Sequence, residues 1–187
     1  VSINDPERPD IVGMYQLWLP NQITVSNDFA YVIDSSPGLS IIPIGVQRQR
    51  EPTGYCETQQ YQTGVALSGD LAYVTGAGGL QFISVADPTD PVVVGQYETP
   101  VELHNIAVSG DFAYVTEMPE RNGDERIGGG LRIISIVDLQ NPESVGFCDL
   151  PGMSRGVAVS GDYAFVTNGE NGLHVISVDN LDNPEVV

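Results

Sequence analysis

The 187-residue chain has no lysine: its seven cationic residues are all arginine, set against 25 Asp and Glu, for a formal net charge of −18. Such a field repels polyanions and anionic lipid surfaces, so no nucleic-acid partner is expected. Cations, neutral molecules such as glycans, and basic protein surfaces remain. Two cysteines are too few for a disulfide framework. No uninterrupted apolar run approaches the roughly 18 residues of a membrane-crossing helix, so membrane insertion is not expected. The chain opens on Val1 without Met or a signal-peptide pattern, which reads as processing or as excision from something longer. Also missing are G-x-S-x-G, H-E-x-x-H, C-x-x-C and a P-loop. With two histidines in all, metal-dependent hydrolysis would need carboxylates and backbone carbonyls as its main ligands. The balance favours a non-catalytic role and leaves an enzyme open.

What the chain does have is a repeat. "ITVSNDFAYVID" at Ile23, "VALSGDLAYVTG" at Val65, "IAVSGDFAYVTE" at Ile106 and "VAVSGDYAFVTN" at Val157 say nearly the same thing. Their serines, Ser26, Ser68, Ser109 and Ser160, are spaced by 42, 41 and 51 residues. A period near 42 is that of propeller blades, and repetition outranks local propensity in deciding a fold. The second unit reads as four short strands, "GVAL", "LAYVT", "LQFISV" and "VVVGQYE", separated by an "SGD" turn, a "GAGG" loop and the Pro-bounded "ADPTDP". Its second strand is apolar on both faces, as a strand sandwiched between blades must be. Ala30, Ala72, Ala113 and Ala164 mark the closest approach of neighbouring blades. With 41% hydrophobic residues there is material for a real core. The expected fold is an all-β propeller of four-stranded antiparallel blades. It is one domain over 1–187, with repeats at 21–60, 61–101, 102–152 and 153–187 and residues 1–20 as an outer strand. A β-sandwich is the alternative, but it requires no fixed period.

"GLQFISVADPTDPVVVGQYETP", "GLRIISIVDLQNPESVGFCDLPG" and "GLHVISVDNLDNP" resemble the LVIVD repeats, over nearly the whole chain. The first unit diverges, with "GLSIIPIG" and "VQRQREPTGY" in place of the Pro-bounded loop. The resemblance implies a β-propeller of an exported or surface-attached bacterial or archaeal protein, hence an extracytoplasmic location. It does not imply a particular activity, because function cannot be read from fold alone.

"VSINDPERPDIV" at the start aligns with "ISVDNLDNPEVV" at the end. The N-terminal strand therefore either completes the last blade in a closed ring or belongs to a partial ring. The partial ring would be completed by more blades or by another copy in a homo-oligomer. An open arc leaves apolar blade faces wet. Cys56, Tyr97 and Cys148 share one register on the outermost strand, so the two thiols lie two blades apart, beyond the ~7 Å reach of a disulfide.

The loops entering each inner strand and those joining strands two and three fall on one face, at the channel mouth, where ligand sites concentrate. There the sequence collects Glu102, His104, Asn105, Arg155 and Asn168 as candidate binding residues. The long third interval adds the insertion "EMPERNGDERIG", with Glu117, Arg121, Asp124 and Arg126. Glu117, His104 and Asp124 are the candidate metal ligands, with Ca2+ as the ion. The insertion lacks the acidic spacing of an EF-hand loop, and no other cofactor is expected. His174, in the register of Gln81 and Arg132, reads as structural. Asp28, Asp70, Asp111 and Asp162 recur at the opposite face and read as turn scaffold. The expected function is a non-catalytic binding or scaffolding propeller recognising a protein or a glycan through this loop face. The alternatives are a metal-assisted hydrolase at the channel mouth and a structural segment of a larger cell-surface protein.

Overall fold

The computed structural model describes residues 14–35, 38–45, 51–58, 61–122, 125–127 and 129–187, without the side chains of 120–127. Four sheets follow one another along the chain, and each is a four-stranded antiparallel blade. Blade 1 is β1 (Pro20–Ser26), β2 (Phe29–Asp34), β3 (Gly38–Pro43) and β4 (Gly54–Glu57). Blade 2 is β5 (Gln62–Ser68), β6 (Leu71–Gly76), β7 (Gly79–Ser84) and β8 (Val92–Glu98). In blade 3, β9 (Leu103–Ser109) and β10 (Phe112–Glu117) precede a two-stranded ribbon, β11 (Glu120–Asn122) and β12 (Glu125–Ile127). The blade is then finished by β13 (Gly130–Ser135) and β14 (Glu143–Asp149). Blade 4 is β15 (Gly156–Ser160), β16 (Tyr163–Thr167), β17 (Leu173–Ser177) and a two-residue β18 (Glu185–Val186). The described residues contain no α-helix, only a 3-10 turn at Gly169–Asn171.

The "SGD" turns fold as their chemistry requires. Gly69, Gly110 and Gly161 hold φ near +57, +57 and +56°, and Asn27 takes the same left-handed place at +52° in the first repeat. The recurrent aspartates serve as scaffold through their backbone. The carbonyls of Asp28, Asp70, Asp111 and Asp162 accept the amides of Ile44, Val85, Ile136 and Val178 at 2.7–2.9 Å, tying each turn to the end of strand three.

Consecutive blades stack through one repeated seam. The leading face of each blade presents Ala, Val and Ile or Val, and the trailing face of the blade before it presents an aromatic, a Leu and a third large apolar residue. Between blades 1 and 2 these are Val65, Ala72, Val74 and Ile83 against Tyr31, Leu39, Ile41 and Cys56. Between blades 2 and 3 they are Ile106, Ala113, Val115 and Ile134 against Tyr73, Leu80 and Phe82. Between blades 3 and 4 they are Ala164, Val166 and Ile176 against Tyr114, Leu131, Ile133 and Cys148. Tyr73 meets Phe82 edge-to-face at 5.7 Å. A second contact repeats at the rim. Gly54, Gly95 and Gly146 of the outer strands leave room for the carbonyl oxygens of Pro88, Leu139 and Leu181 in the next blade's loop, and a Cβ there would collide with backbone. Among the described residues the sheets do not close into a ring: Leu173 of blade 4 is 61% exposed, whereas Leu39, Leu80 and Leu131 at the same register are 0% exposed.

The outer strand expected over residues 1–20 falls mostly outside the described residues. Residues 1–13 lie outside the described residues, and 14–17 form no strand. Tyr15 and Leu17 instead pack on the leading face of blade 1, against Ala30, Val32 and Ile42, and the Tyr15 hydroxyl donates to the Pro43 carbonyl at 3.1 Å.

Candidate functional site

The mouth end of each inner strand carries a defect that decides where the candidate side chains point. In β5 and β9 the register slips against the neighbouring strand, so that Thr63 and His104 are extra residues facing no partner of their own. β1 does the same at Asn21. Such a bulge re-aims one side chain, and here it aims each across the seam to the next blade. Asn21 Nδ2 donates to the Gln62 carbonyl at 3.1 Å, Thr63 Oγ1 to the Leu103 carbonyl at 2.5 Å, and His104 Nδ1 to the Arg155 carbonyl at 3.1 Å. A carbonyl can only accept, so the Nδ1 of His104 is the donor in this bond. His104 is therefore the third member of an inter-blade stitch.

Asn105 belongs to the same stitch. Its Oδ1 accepts the Val157 amide at 3.3 Å, and its own amide donates to Thr116 Oγ1 at 3.0 Å, which in turn donates to the Arg155 carbonyl at 3.2 Å. Gln22 Oε1 plays the equivalent part on blade 1, accepting the Val65 amide at 2.6 Å. The structure thus brings His104, Asn105 and Arg155 together, at the seam between blades 3 and 4.

Glu117 is drawn elsewhere. Its 2%-exposed carboxylate is forked by Arg132, with Nε on Oε1 and Nη2 donating to Oε2 at 3.1 Å. Arg132 also donates to Ser144 Oγ at 2.9 Å and lies 4.8 Å over the Phe147 ring. The Glu117 hydrogen bonds hold the guanidinium pKa above its ordinary value. Sequence reading missed this pair, although Arg132 stands two residues beyond Gly130, the register partner of Glu117. Glu102 is exposed, and its carbonyl accepts the Met118 amide at 3.0 Å, which joins the two loop sets at one face. Arg121 and Arg126 are backbone partners across the β11–β12 ribbon, and their side chains lie outside the described residues. Asp124, the third candidate metal ligand, also lies outside them. Among the described residues no three His, Cys, Asp or Glu are grouped to hold a metal ion.

Asn168 is fully buried and organises blade 4's end of the face, donating from Nδ2 to the Pro151 carbonyl at 2.7 Å. Its Oδ1 and the Oγ of buried Ser154 have no protein partner. Beside them Gly152, Met153, Arg155, Gly169, Glu170 and Asn171 line a depression of about 430 Å³. Arg155 and Glu170 are exposed within it, so this hollow offers both signs of charge and amide groups to a polar ligand. His174 sits in the strand register of Gln81 and Arg132, as the repeat requires, with its Nε2 buried and unpartnered. Cys56 and Cys148 are free, buried thiols in β4 and β14, opposite Leu39 and Leu131. Burial pushes both thiols above the usual cysteine pKa.

Radially stacked four-stranded blades whose loops converge at a channel mouth define an open arc of a β-propeller. Solved structures agree. The chain is similar to the computationally designed Ika4 protein, with a TM-score of 0.69, 7% identity, and 91% of this chain and 99% of that one covered. It is also similar to the β-propeller domain of Myceliophteria thermophila Cps50 (Swd1), with a TM-score of 0.67, 8% identity, and coverage of 90% and 54%. For Kluyvelomyces marxianus Hsv2 the values are 0.64, 12%, 94% and 52%. The chain spans about half the length of the last two. At these identities the likeness shows the fold alone. No curated protein matches the chain. The LVIVD repeat matches residues 21–45, 60–99, 103–119 and 151–187, more than half of the sequence, and the chain belongs to the LVIVD-repeat family.

Proposed function

We propose that this propeller arc is a non-catalytic, extracytoplasmic binding and scaffolding module that recognises a protein or a glycan through its loop face. The observation that carries the reading is the depression of about 430 Å³ between residues 152–155 and 169–171. It is polar and open, on the same face as the β11–β12 ribbon. Exposed Arg155 and Glu170, which line it, are suited to hydroxyl and amide groups. The catalytic alternative loses a ligand, because the Glu117 carboxylate is committed to Arg132.

The test uses labelled protein on a printed glycan array and on a panel of immobilised basic and neutral proteins. Three forms are compared: wild type, Arg155→Ala, and a form with 119–128 replaced by a short Gly-Ser turn. Retaining Glu117 keeps its ion pair intact. Selective capture by wild type, lost in both variants while melting is unchanged, is expected. Capture unaffected by either variant, or no capture by wild type, defeats the reading.

A further inference from the structure

The two ends of the arc are complementary halves of the seam that its interior uses three times. At one end the leading face of blade 1 presents Ala30, Val32 and Ile42, the register equivalents of Ala72, Val74 and Ile83. In the interior that face is covered by a neighbouring blade. Here Tyr15 and Leu17 leave those three residues 4–5% exposed and line with them an apolar groove of about 460 Å³, in which Ile23 is 59% and Ile44 42% exposed. The register equivalents of Ile23 are Val65 and Ile106, at 4% and 5%.

At the other end, blade 4 offers Phe165, Leu173 and Val175 where earlier trailing faces offer Tyr31, Leu39 and Ile41. Among the described residues no blade covers them: Leu173 is 61% exposed, and Phe165 and Val175 are half-buried. β2, β6 and β10 are buried along both faces, whereas β16 alternates between buried and exposed or half-buried positions. Thr75 and Thr116 are 1% and 0% exposed, and their equivalent Thr167 is exposed. Arg155 stands in the sequence place of Asn21, Thr63 and His104, each of which donates to a carbonyl of the next blade, and among the described residues no further blade faces it.

We infer that the groove on blade 1 is the docking site for blade 4 of a second copy of this chain, so that two arcs dock head to tail twice and close one ring. Both halves of the seam are on one chain at opposite ends, and heterologous faces of this kind build rings when the rotation closes. The size agrees: the arc superposes on about half of a β-propeller domain, 54% of it. The outer-strand place fits as well. Cys56 and Cys148 of the outer strands pack on the next blade's leading face, and Tyr15 packs on that face of blade 1. In the ring, Tyr15 and Leu17 take over the outer place that β18 holds with only two residues, Glu185 and Val186. Arg155 then reaches the carbonyls at the start of the second copy's β1, and the depression it lines lies at the junction of two copies.

The test is solution mass by light scattering and sedimentation equilibrium on wild type, Ile23→Arg and Leu173→Arg, with circular dichroism as the folding control. Both substituted side chains are exposed, at 59% and 61%, so the isolated arc tolerates the change. Wild type is expected at twice the 20.0 kDa chain mass. Each variant alone is expected at the single-chain mass, because every seam then contains one arginine. Mixing the two variants is expected to restore a pair, since one of its two seams is intact. This complementation separates head-to-tail docking from a face-to-face pair, which Leu173→Arg would not touch. A wild-type monomer, a pair that survives Leu173→Arg, or failure of the mixture to pair overturns the inference.

Discussion

The Glu117–Arg132 pair gives the sharpest single-residue prediction, because sequence reading placed Glu117 at a metal and the structure places it in an ion pair. Glu117→Gln keeps shape and one acceptor, and turns the second hydrogen bond into an N–H facing an N–H. Exposed ion pairs contribute ~0.2–1 kcal/mol, and removing one member of a fully buried pair costs about 3–5 kcal/mol. The Glu117 side chain is 3% exposed and that of Arg132 is 24%, so the pair falls between these limits. The guanidinium can recover water on its open edge while it stays over Phe147. A cost of about 2–3 kcal/mol follows, since a hydrogen bond to a charged group contributes ~1.5–3 kcal/mol. For a domain of this size that lowers Tm by about 4–12 °C. Thermal unfolding of wild type, Glu117→Gln, Arg132→Met and the double variant measures it. The cycle should return a coupling of ~1–3 kcal/mol, the same with EDTA and with millimolar Ca2+. A loss below ~0.5 kcal/mol, or a Ca2+-induced rise in Tm that Glu117→Gln abolishes, would refute the ion-pair account and return Glu117 to a metal.

Three further outcomes follow from the repeated contacts. Gly95→Ala places a methyl on the Leu139 carbonyl and is expected to cost about 1–3 kcal/mol by denaturant unfolding; a neutral result would mean that the rim loop is not held where it is described. Cys56 and Cys148 are buried with raised pKa values, so Ellman's reagent should label both at once in denaturant and only slowly in the native state. Asp87, Asp138 and Asp179 have carboxyls held below the usual range, chiefly by side-chain hydrogen bonds from Thr89, Asn141 and Ser177. A depressed folded pKa contributes stability above the unfolded value of ~3.9 that is lost as pH falls through the folded value. Tm should therefore be insensitive to these groups near neutrality and fall on acidification below about pH 4. Asp87→Asn should make that fall shallower, and an unchanged acid limb would contradict the assignment.

The fold was legible because a seam that repeats in space must repeat in sequence. The alanines, the "SGD" turns and the both-sides-apolar second strand are requirements of blade stacking, and any one repeat states them. The site was legible only as a face. Counting along β9 puts His104 and Glu117 near each other at the mouth, and a backbone bond from Met118 to Glu102 joins the two loops. The bulge at His104 then decides direction. A slip of one residue turns a side chain to the opposite face, and no composition signal marks the slip in "ELHNIAVS". His104 consequently reaches blade 4, while the Glu117 carboxylate goes to Arg132. The series Asn21, Thr63, His104 was invisible for a related reason: the three side chains share only the ability to donate a hydrogen bond. The free ends of the arc were half legible. The overlap of "VSINDPERPDIV" with "ISVDNLDNPEVV" allowed a closed or a partial ring, and the exposure of Leu173 and Ile23 shows which described faces are left open.

The account rests on one seam being used alike inside the chain and at its ends. Class averages of the wild-type protein by electron microscopy, viewed down the channel, test this most directly. The prediction is a closed ring with two-fold symmetry and twice the four sheets of one chain around a central channel. Open single arcs, or a ring closed by the four sheets of one chain alone, would contradict it.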